Sequence, residues 1–497
     1  MDFARTGAEY GLEPPNIEDG LRPVGHGKLP RSFLLVFLYF SGIRPRATPC
    51  RNCSRFLVVY QSRFWNPLPD LSFVILAGWS GISPDIDTLG RGRLPPDVGK
   101  KAGKTDEILT PRQLLDRLVG FPDGQRRHSN LALVDWLEGY LAGHGIRCFR
   151  HWNEDHQKAA LIAHAGPWTP GAVVLSGHSD VVPVDGQAWT SDPWEVTERD
   201  GRLYGRGTCD MKGYVALAVW AVVEAQRRGV TRPLQLALSY DEEVGCTGAP
   251  PMIETMQGVV PRGSAALIGE PSRMKVITGH KGGTGFHVHV KGYEVHSSLL
   301  PEGVSAIMEA ARLIGWVNDR NAAIQAAPRL PLGGRFHPPF STLHVGTIEG
   351  GTANNITAAD CRFTIEMRIV PDDDLEGQAA AFAAEAARLD AALKARRPEA
   401  GVELERFFGV PGLQPEAEGE AEALARALTG DNATGVVSYG TEAGQFQDAG
   451  YSAVVCGPGD IAQAHQPDEF LEIPEFQAGQ RFMERLLEDP CVTFPDH

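Results

Sequence analysis

The sequence predicts an α/β fold: a mixed, largely parallel sheet with helices on both faces, into which a small ferredoxin-like α+β domain is inserted. Three observations favour this fold. Short apolar runs typical of strands alternate with helical stretches from residue 110 onward. From residue 282 the order of elements changes to β-α-β-β-α-β, as in a ferredoxin-like sandwich. The chain has 497 residues, which is too long for one ordinary domain.

The patterned part of the chain begins with a helix. Thr110 and the proline that follows it fit an N-cap with proline at the first helical position. Strand-like runs come next at residues 172–175, 234–239 and 265–268, and residues 214–228 between them are helical. Buried strands separated by helices indicate a largely parallel sheet.

The inserted domain is predicted from a change of period. Residues 286–290 alternate as a strand does. The other predicted elements are helix 304–317, strands 343–348 and 362–369, the Ala-rich helix 375–394 and strand 402–407. The predicted domains are therefore an N-terminal extension (1–105), the larger domain in two parts (106–281 and 409–497) and the inserted domain between them (282–408).

The first 105 residues mix Pro, Gly, Arg and aromatic residues without a sustained period. We expect a poorly ordered extension, or translation from a start codon placed too far upstream; a functional accessory domain is the third alternative. The longest apolar runs there, 33–40 and 71–79, are shorter than the ~18–20 residues that span a bilayer. Because they lack a signal-peptide layout, we expect a cytoplasmic protein.

Composition argues against several classes of protein. Lys and Arg number 47 and Asp and Glu number 62, so the net charge is -15. This sign disfavours binding to nucleic acid or to anionic membranes. The eight cysteines are scattered through a long chain, which fits reduced thiols better than a disulfide framework. A solvent-facing enzyme is the class that these features favour.

Side chains of metal-ligand type follow the predicted strands. His178 and Asp180 end the strand in GAVVLSGHSD, and Asp210 lies in GRGTCDMKG ahead of a helix. Open α/β sheets bind ligands at the carboxyl ends of their strands. Imidazole and carboxylate together suit zinc or cobalt, and a nearby carboxylate can orient a metal-bound ring. Taken singly, however, HxD is a common chance pattern and Asp210 fits an ordinary N-cap.

Three further passages carry the same residue types. Glu242 and Glu243 follow a strand in SYDEEVGCTG, Glu270 follows a strand in IGEPS, and His465 lies in a loop before the last helix. Acidic clusters are usually solvated, but adjacent glutamates at a strand end can divide into a metal ligand and a general base. Together the passages supply ligands for a site with two metal ions and a shared carboxylate: His178, Asp210, Glu243, Glu270 and His465.

These motifs resemble those of the two-zinc peptidase family that includes acetylornithine deacetylase and succinyl-diaminopimelate desuccinylase. SGHSDVVPV, GRGTCDMKG, DEEVGCTG, IGEPS and the late histidine loop occur in the family's order, and the resemblance covers about residues 108–490. It implies that His178 and Glu270 hold one ion, that Glu243 and His465 hold the other, and that Asp210 bridges the two.

The resemblance also implies roles for residues outside the ligand set. Asp180 orients His178, and Glu242 is the general base of amide hydrolysis. His296, in GYEVHSS, is similar to the family's lid histidine, which reaches the partner subunit's active site and so implies a homodimer formed through the inserted domain; a surface histidine capping the next helix is the alternative. Relatives hold the substrate carboxylate at the positions of Asn354, Asn355 and Arg368, although Arg368 also fits an ordinary strand-surface charge.

The loop SYGTEAGQFQ bears on the substrate, an N-acyl amino acid in this family. It is similar to the acetylornithine deacetylase form of the loop more than to the desuccinylase form. Glu442 in this loop is predicted to meet the cationic side chain of ornithine, or alternatively to face solvent. The resemblance therefore implies removal of the acetyl group from N-acetylornithine.

Other functions stay open at the level of sequence. A desuccinylase, an aminoacylase or a metal carboxypeptidase would share the metal site. A non-catalytic binding protein on the same fold would have no use for Glu242. A nucleotide-binding enzyme built on the Gly-rich residues 279–285 is disfavoured, since they lack both the GxGxxG and the GxxxxGK[ST] spacing.

Overall fold

The computed structural model describes residues 107–122 and 129–488, together with the backbone of three strands nearer the N-terminus. These strands are β1 (Leu35–Phe40), β2 (Val58–Tyr60) and β3 (Leu71–Leu76), and they pair antiparallel with β3 in the middle. They belong to a compact unit, Met1–Gly99, and the rest of the chain forms a second unit. The poor order expected for the remaining residues up to 105 lies outside the described residues.

The second unit contains helices and strands in alternation. Its helices are α1 (Pro111–Val119), α2 (Leu131–Gly143), α3 (Lys212–Arg228), α4 (Ala249–Val259), α5 (Ala306–Ala326), α6 (Leu375–Arg396), α7 (Glu420–Thr429), α8 (Ala443–Asp448) and α9 (Ile473–Glu488). Its strands are β4 (Arg147–Trp152), β5 (Ala159–Ala165), β6 (Ala172–His178), β7 (Thr197–Arg199), β8 (Arg202–Tyr204), β9 (Leu234–Ser239), β10 (Gly263–Pro271), β11 (Ile277–His280), β12 (Gly282–Lys291), β13 (Thr342–Gly350), β14 (Asp360–Ile369), β15 (Gly401–Val410), β16 (Gly435–Val437), β17 (Ser452–Gly457) and β18 (Phe470–Glu472). Among the described helices, none combines the length and the apolarity needed to cross a membrane.

Local sequence accounts for where α1 begins and where α5 ends. The predicted cap of α1 is confirmed: the Thr110 hydroxyl accepts a hydrogen bond from the Gln113 amide, and the Gln113 side chain accepts one from the Thr110 amide. Helix α5 runs nine residues beyond its predicted end at residue 317. The sequence offers no proline to stop it until Pro328, just after its C-terminus.

The described part of the second unit is organised around an eight-stranded sheet in the order β16-β11-β17-β10-β6-β9-β5-β4. Strands β17, β10, β6 and β9 are mutually parallel neighbours, whereas β5 and β4 add antiparallel pairs at one edge. Every residue of β6 and β9 is buried, as expected for strands covered by helices on both faces. The predicted mixed, largely parallel α/β sheet is confirmed.

A second sheet lies within residues 282–410. Its four strands run antiparallel in the order β13-β14-β12-β15, and the element order is β-α-β-β-α-β. Phe286, Val288 and Val290 of β12 face a hydrophobic core shared with α5 and α6, whereas His287 and His289 point to the opposite face. The period-2 pattern of the sequence therefore marks which side of this sheet packs on helices.

Two connecting segments of the chain, which we call the crossings, link the eight-stranded sheet to the four-stranded sheet. The chain leaves the larger sheet between His280 and Gly282 and returns between Val410 and Leu413. His280 and Leu413 pair through two backbone hydrogen bonds, of 3.2 and 3.1 Å. The crossings therefore lie side by side.

A small antiparallel sheet in the order β18-β8-β7 joins two loops that matter for the site. Strand β8 ends at Tyr204, directly before GRGTCD, and β18 follows the loop of His465. Phe470 pairs with Tyr204, so the pairing brings these two loops together.

Candidate metal centre

The candidate site forms where three neighbouring strands end. Strand β6 ends at His178, β9 ends two residues before Asp241, and β10 carries Glu270 near its own end. These strands lie next to one another and run parallel in the order β10-β6-β9. Their carboxyl ends therefore share one edge, which explains why residues far apart in sequence meet there.

The structure brings all five predicted ligands together around Asp210. One carboxylate oxygen of Asp210 lies 3.1 Å from His178 Nε2, and the other lies 3.1 Å from His465 Nε2. Glu270 is 3.7 Å from His178 Nε2, and Glu243 is 3.0 Å from His465 Nε2. Each histidine thus has its own glutamate, and the aspartate lies between the two pairs.

The carboxylates of this cluster are buried, whereas the His465 side chain is 50% exposed. Burial raises the pKa of Glu243 to about 8 and raises that of Glu270 well above its usual range. Hydrogen bonds to Asp210 and Glu243 raise the pKa of His465 to about 10. Burial disfavours the ionised Asp210, yet hydrogen bonds from the two histidines outweigh it and lower the pKa of this carboxyl. Buried carboxylates that repel one another in this way favour a bound cation.

The residues fit a pair of divalent cations. One oxygen of Glu243, Oε1, is buried and has no hydrogen-bond partner among the described residues. Imidazole nitrogens and carboxylate oxygens are suitable ligands for zinc, cobalt and similar ions. Because the two oxygens of Asp210 face different histidines, the geometry suits two ions with a shared carboxylate rather than one.

Asp180 organises the site through its backbone and its side chain. The Nδ1 atom of His178 lies 2.9 Å from the Asp180 carbonyl oxygen and 3.6 Å from its carboxylate. The carbonyl is therefore the closer partner, and it leaves Nε2 directed at Asp210. The carboxylate of Asp180 accepts hydrogen bonds from the backbone amides of Glu242 and Glu243, at 3.3 and 3.1 Å. It thus holds the acidic loop against β6.

Glu242 lies at the edge of the ligand cluster. One of its carboxylate oxygens lies within 4.8 Å of ligand atoms of His178 and Glu270. Burial raises the pKa of Glu242 to about 7, which suits a general base near neutral pH. The Cys246 thiol donates a hydrogen bond of 3.1 Å to this carboxylate, and the Cys246 amide donates one of 2.9 Å to the Glu242 carbonyl. The sequence interpretation missed Cys246, whose only signal is its position one helical turn after Glu242.

The structure corrects the expectation for Glu442. This residue precedes α8 and is 1% exposed, so neither solvent nor an ornithine side chain reaches its carboxylate. Instead the carboxylate accepts hydrogen bonds from the hydroxyls of Ser239 and Ser176. Glu442 is therefore part of the buried support of the strand ends, where burial raises its pKa to about 7.

The other predicted substrate residues lie on the four-stranded sheet and its loops. Arg368 of β14 is partly exposed and pairs with Glu366 at 2.5 Å. A methyl group at Gly440 would lie 3.7 Å from Arg368 Nη1, so the guanidinium is next to the SYGTE loop.

His296, Asn354 and Asn355 are exposed neighbours in two adjoining loops, where the Ser297 amide donates to the Asn355 carbonyl. His296 also caps the turn that follows it, through the Ser298 amide and hydroxyl. Among the described residues, none of these three contacts the ligand cluster through a hydrogen bond or an ion pair. Their part in substrate binding stays a prediction.

Fold and site together define the class: an enzyme of the metal-dependent hydrolase type, with its candidate centre at the carboxyl edge of an α/β sheet. Residues 174–489 match the sequence pattern of the peptidase family M20/M25/M40, and the chain belongs to that family.

Similar proteins agree with this assignment. Acetylornithine deacetylase of Myxococcus xanthus is 34% identical over 392 residues, which cover 78% of this chain and 99% of that protein. The enzyme of the same name from Proteus mirabilis is 32% identical over 394 residues, covering 77% and 97%. Among solved structures, an M20 family metallo-carboxypeptidase from Sulfolobus solfataricus matches with a TM-score of 0.62 at 16% identity, covering 77% and 99%, which supports the fold.

Proposed function

We propose that the protein hydrolyses N2-acetyl-L-ornithine to L-ornithine and acetate, using two divalent cations, zinc or cobalt. The observation that carries the hydrolytic chemistry is Asp210, whose two carboxylate oxygens face two separate histidine–glutamate pairs. The acetyl substrate is supported by the relatives named acetylornithine deacetylase, which match over nearly their whole length.

Divalent cations at such a site supply activation of water and polarisation of the amide carbonyl. The chain itself supplies the proton transfers. Glu242 accepts the proton of the attacking water and then returns it to the departing amine. Asp180 and Cys246 keep this carboxylate in place through the contacts described above.

Recognition of the substrate carboxylate falls to Arg368 in this proposal. Its guanidinium lies beside the SYGTE loop and is held by Glu366, which leaves further N–H groups for a carboxylate. Asn354, Asn355 and His296 complete the substrate site in the proposal, with His296 contributed by a second subunit.

We also propose that the protein is a cytoplasmic homodimer formed through residues 282–410. Large apolar side chains are exposed on α5 and β13, namely Ile307, Met308 and Ile348, and Met308 is 59% exposed. Burying such side chains is favourable in an interface between two copies. Light scattering on the purified chain is expected to give twice the monomer mass, and Met308→Asp is expected to shift it toward the monomer. A wild-type monomer would contradict the proposal.

The experiment for the activity compares substrates on one preparation. The protein is stripped with a chelator, reloaded with zinc or cobalt, and assayed with N-acetylornithine, N-succinyl-diaminopimelate and N-acetylmethionine, with Glu242→Ala as the inactive control. Preferred turnover of N-acetylornithine that needs metal supports the proposal. Preference for either of the other substrates would replace the substrate while keeping the hydrolytic mechanism.

A further inference from the structure

A buried ion pair outside the ligand set connects the two loops that carry Asp210 and His465. Arg206 Nη1 lies 2.6 Å from Glu469 Oε2, and the two side chains are only 1% exposed. We propose that Arg206 and Glu469 are positioning residues, which fix Asp210 and His465 relative to each other so that both can bind metal. This inference rests on the metal site of the proposed function and not on the substrate.

The Glu469 side of the pair acts on the Asp210 loop. Its second carboxylate oxygen, Oε1, accepts hydrogen bonds from the backbone amides of Cys209 and Asp210, at 2.9 and 3.1 Å. The Glu469 carbonyl accepts another from the Gly205 amide at 3.0 Å. Hydrogen bonds to a charged acceptor are stronger than those between neutral groups. One side chain therefore fixes the backbone of the residue that lies between the two histidines.

The Arg206 side of the pair reaches the His465 loop. Arg206 Nη2 donates to the Gln187 side-chain oxygen at 2.6 Å, and Gln187 Nε2 donates to the His465 carbonyl at 3.0 Å. His465 has a φ of +64°, a left-handed conformation that is costly for a residue other than glycine. The link through Gln187 holds His465 in that conformation.

Stability alone is a poor explanation for this arrangement. Removing two charges from water costs free energy, and a buried ion pair is often no more stabilising than apolar side chains of similar volume. Here the hydrogen bonds that the two side chains make beyond the pair lead to the metal-ligand loops: Glu469 to the Asp210 backbone, and Arg206 through Gln187 to the His465 backbone. The Arg206 guanidinium also lies 5.1 Å from the centroid of the Trp189 ring. The charged pair keeps Asp210 and His465 at a fixed distance from each other, which apolar side chains in its place would not do.

The test measures zinc binding to chelator-stripped protein by titration calorimetry, with no substrate present. The variants are Glu469→Gln, Arg206→Met and Arg206→Lys, and the unfolding temperature of each metal-free protein is recorded alongside. The matched control is Glu472→Gln, which removes a partly exposed partner of Arg202, 3.8 Å away, on the same pair of strands. Loss of a group that orients a ligand typically weakens metal binding by about 10–100-fold.

For Glu469→Gln and Arg206→Met we expect a loss of that size in the affinity for the more weakly bound of the two zinc ions. The loss should be smaller for Arg206→Lys, and Glu472→Gln should keep the wild-type affinity. Wild-type zinc affinity in folded Glu469→Gln and Arg206→Met would overturn the proposal, even if their unfolding temperatures fell. If neither folds, Gln187→Leu decides: it leaves the ion pair in place, and an unchanged affinity would overturn the link to His465. Failure of the wild type itself to bind two zinc ions would instead refute the proposed metal site.

Discussion

Replacing Glu442 with glutamine should make the stability of the protein less dependent on pH. Burial raises the pKa of Glu442 from 4.5 to about 7. A carboxyl whose pKa is raised on folding binds more protons in the folded state, so its contribution is fully present below about pH 4.5 and is lost as the pH rises to about 7. At about 1.4 kcal/mol per pKa unit, ionising this group costs the folded state roughly 3 kcal/mol above pH 7.

Glutamine keeps the shape of the side chain and an oxygen for the hydroxyls of Ser176 and Ser239, but it does not ionise. Chemical unfolding of the metal-free proteins at pH 5 and pH 8 measures the effect. Wild type is expected to lose about 2.5 kcal/mol more than Glu442→Gln over this interval, since the loss has already begun at pH 5. The control is Glu405→Gln, which neutralises an exposed glutamate of β15. Equal pH dependence in wild type and Glu442→Gln would refute the reasoning.

Three other substitutions test single contacts of the structure. Glu242→Gln should lower kcat by about 10²–10⁴-fold, because the proton acceptor is lost; zinc content measured by atomic absorption should stay at the wild-type ratio, and a loss of zinc would assign Glu242 to the ligands instead. Cys246→Ala should lower kcat about tenfold with KM unchanged, since the hydrogen bond to Glu242 is lost. Cys246→Ser should recover part of the lost kcat, because its hydroxyl can donate the same hydrogen bond. Equal activity of the two variants would rule out the hydrogen bond as the cause. Gly269→Ala should destabilise the fold by about 1–3 kcal/mol, because the added methyl group would lie 2.0 Å from the buried ring of Tyr214; an unchanged unfolding temperature would contradict that packing.

The ligand cluster was predictable because its signals are local. Apolar runs that end at or within four residues of His178, Glu243 and Glu270 are visible in the sequence, and the parallel order of the strands then brings their ends together. Asp210 and His465 are the exceptions: their loops are brought together by the pairing of Tyr204 with Phe470, and the motif resemblance was needed to predict them.

The environment of Glu442 was not predictable in the same way. Whether a side chain at the start of a short helix faces a cleft or the interior depends on what packs against it. Its partners Ser239 and Ser176 are 203 and 266 residues away along the chain. The same holds for the Arg206–Glu469 pair, whose members are 263 residues apart. Nothing in either local sequence names the other partner.

The three strands before residue 77 show another limit of pattern reasoning. Their sequences LVFLYF, VVY and LSFVIL are short and lack alternation, so the period gives no signal. Their β-branched and aromatic residues nevertheless favour extended backbone. Composition, rather than period, was the relevant evidence there.

The side-by-side crossings at His280 and Leu413 have a bearing on ancestry. The inserted segment, residues 282–410, begins and ends next to one backbone pair. Its coding sequence can therefore be gained or lost without changing the register of the eight-stranded sheet. Joining His280 to Leu413 directly would close a tight loop, which costs little chain entropy. The five proposed metal ligands all lie outside residues 282–410, so exchange of that segment at this joint would leave the ligand set complete while replacing the residues proposed to bind the substrate.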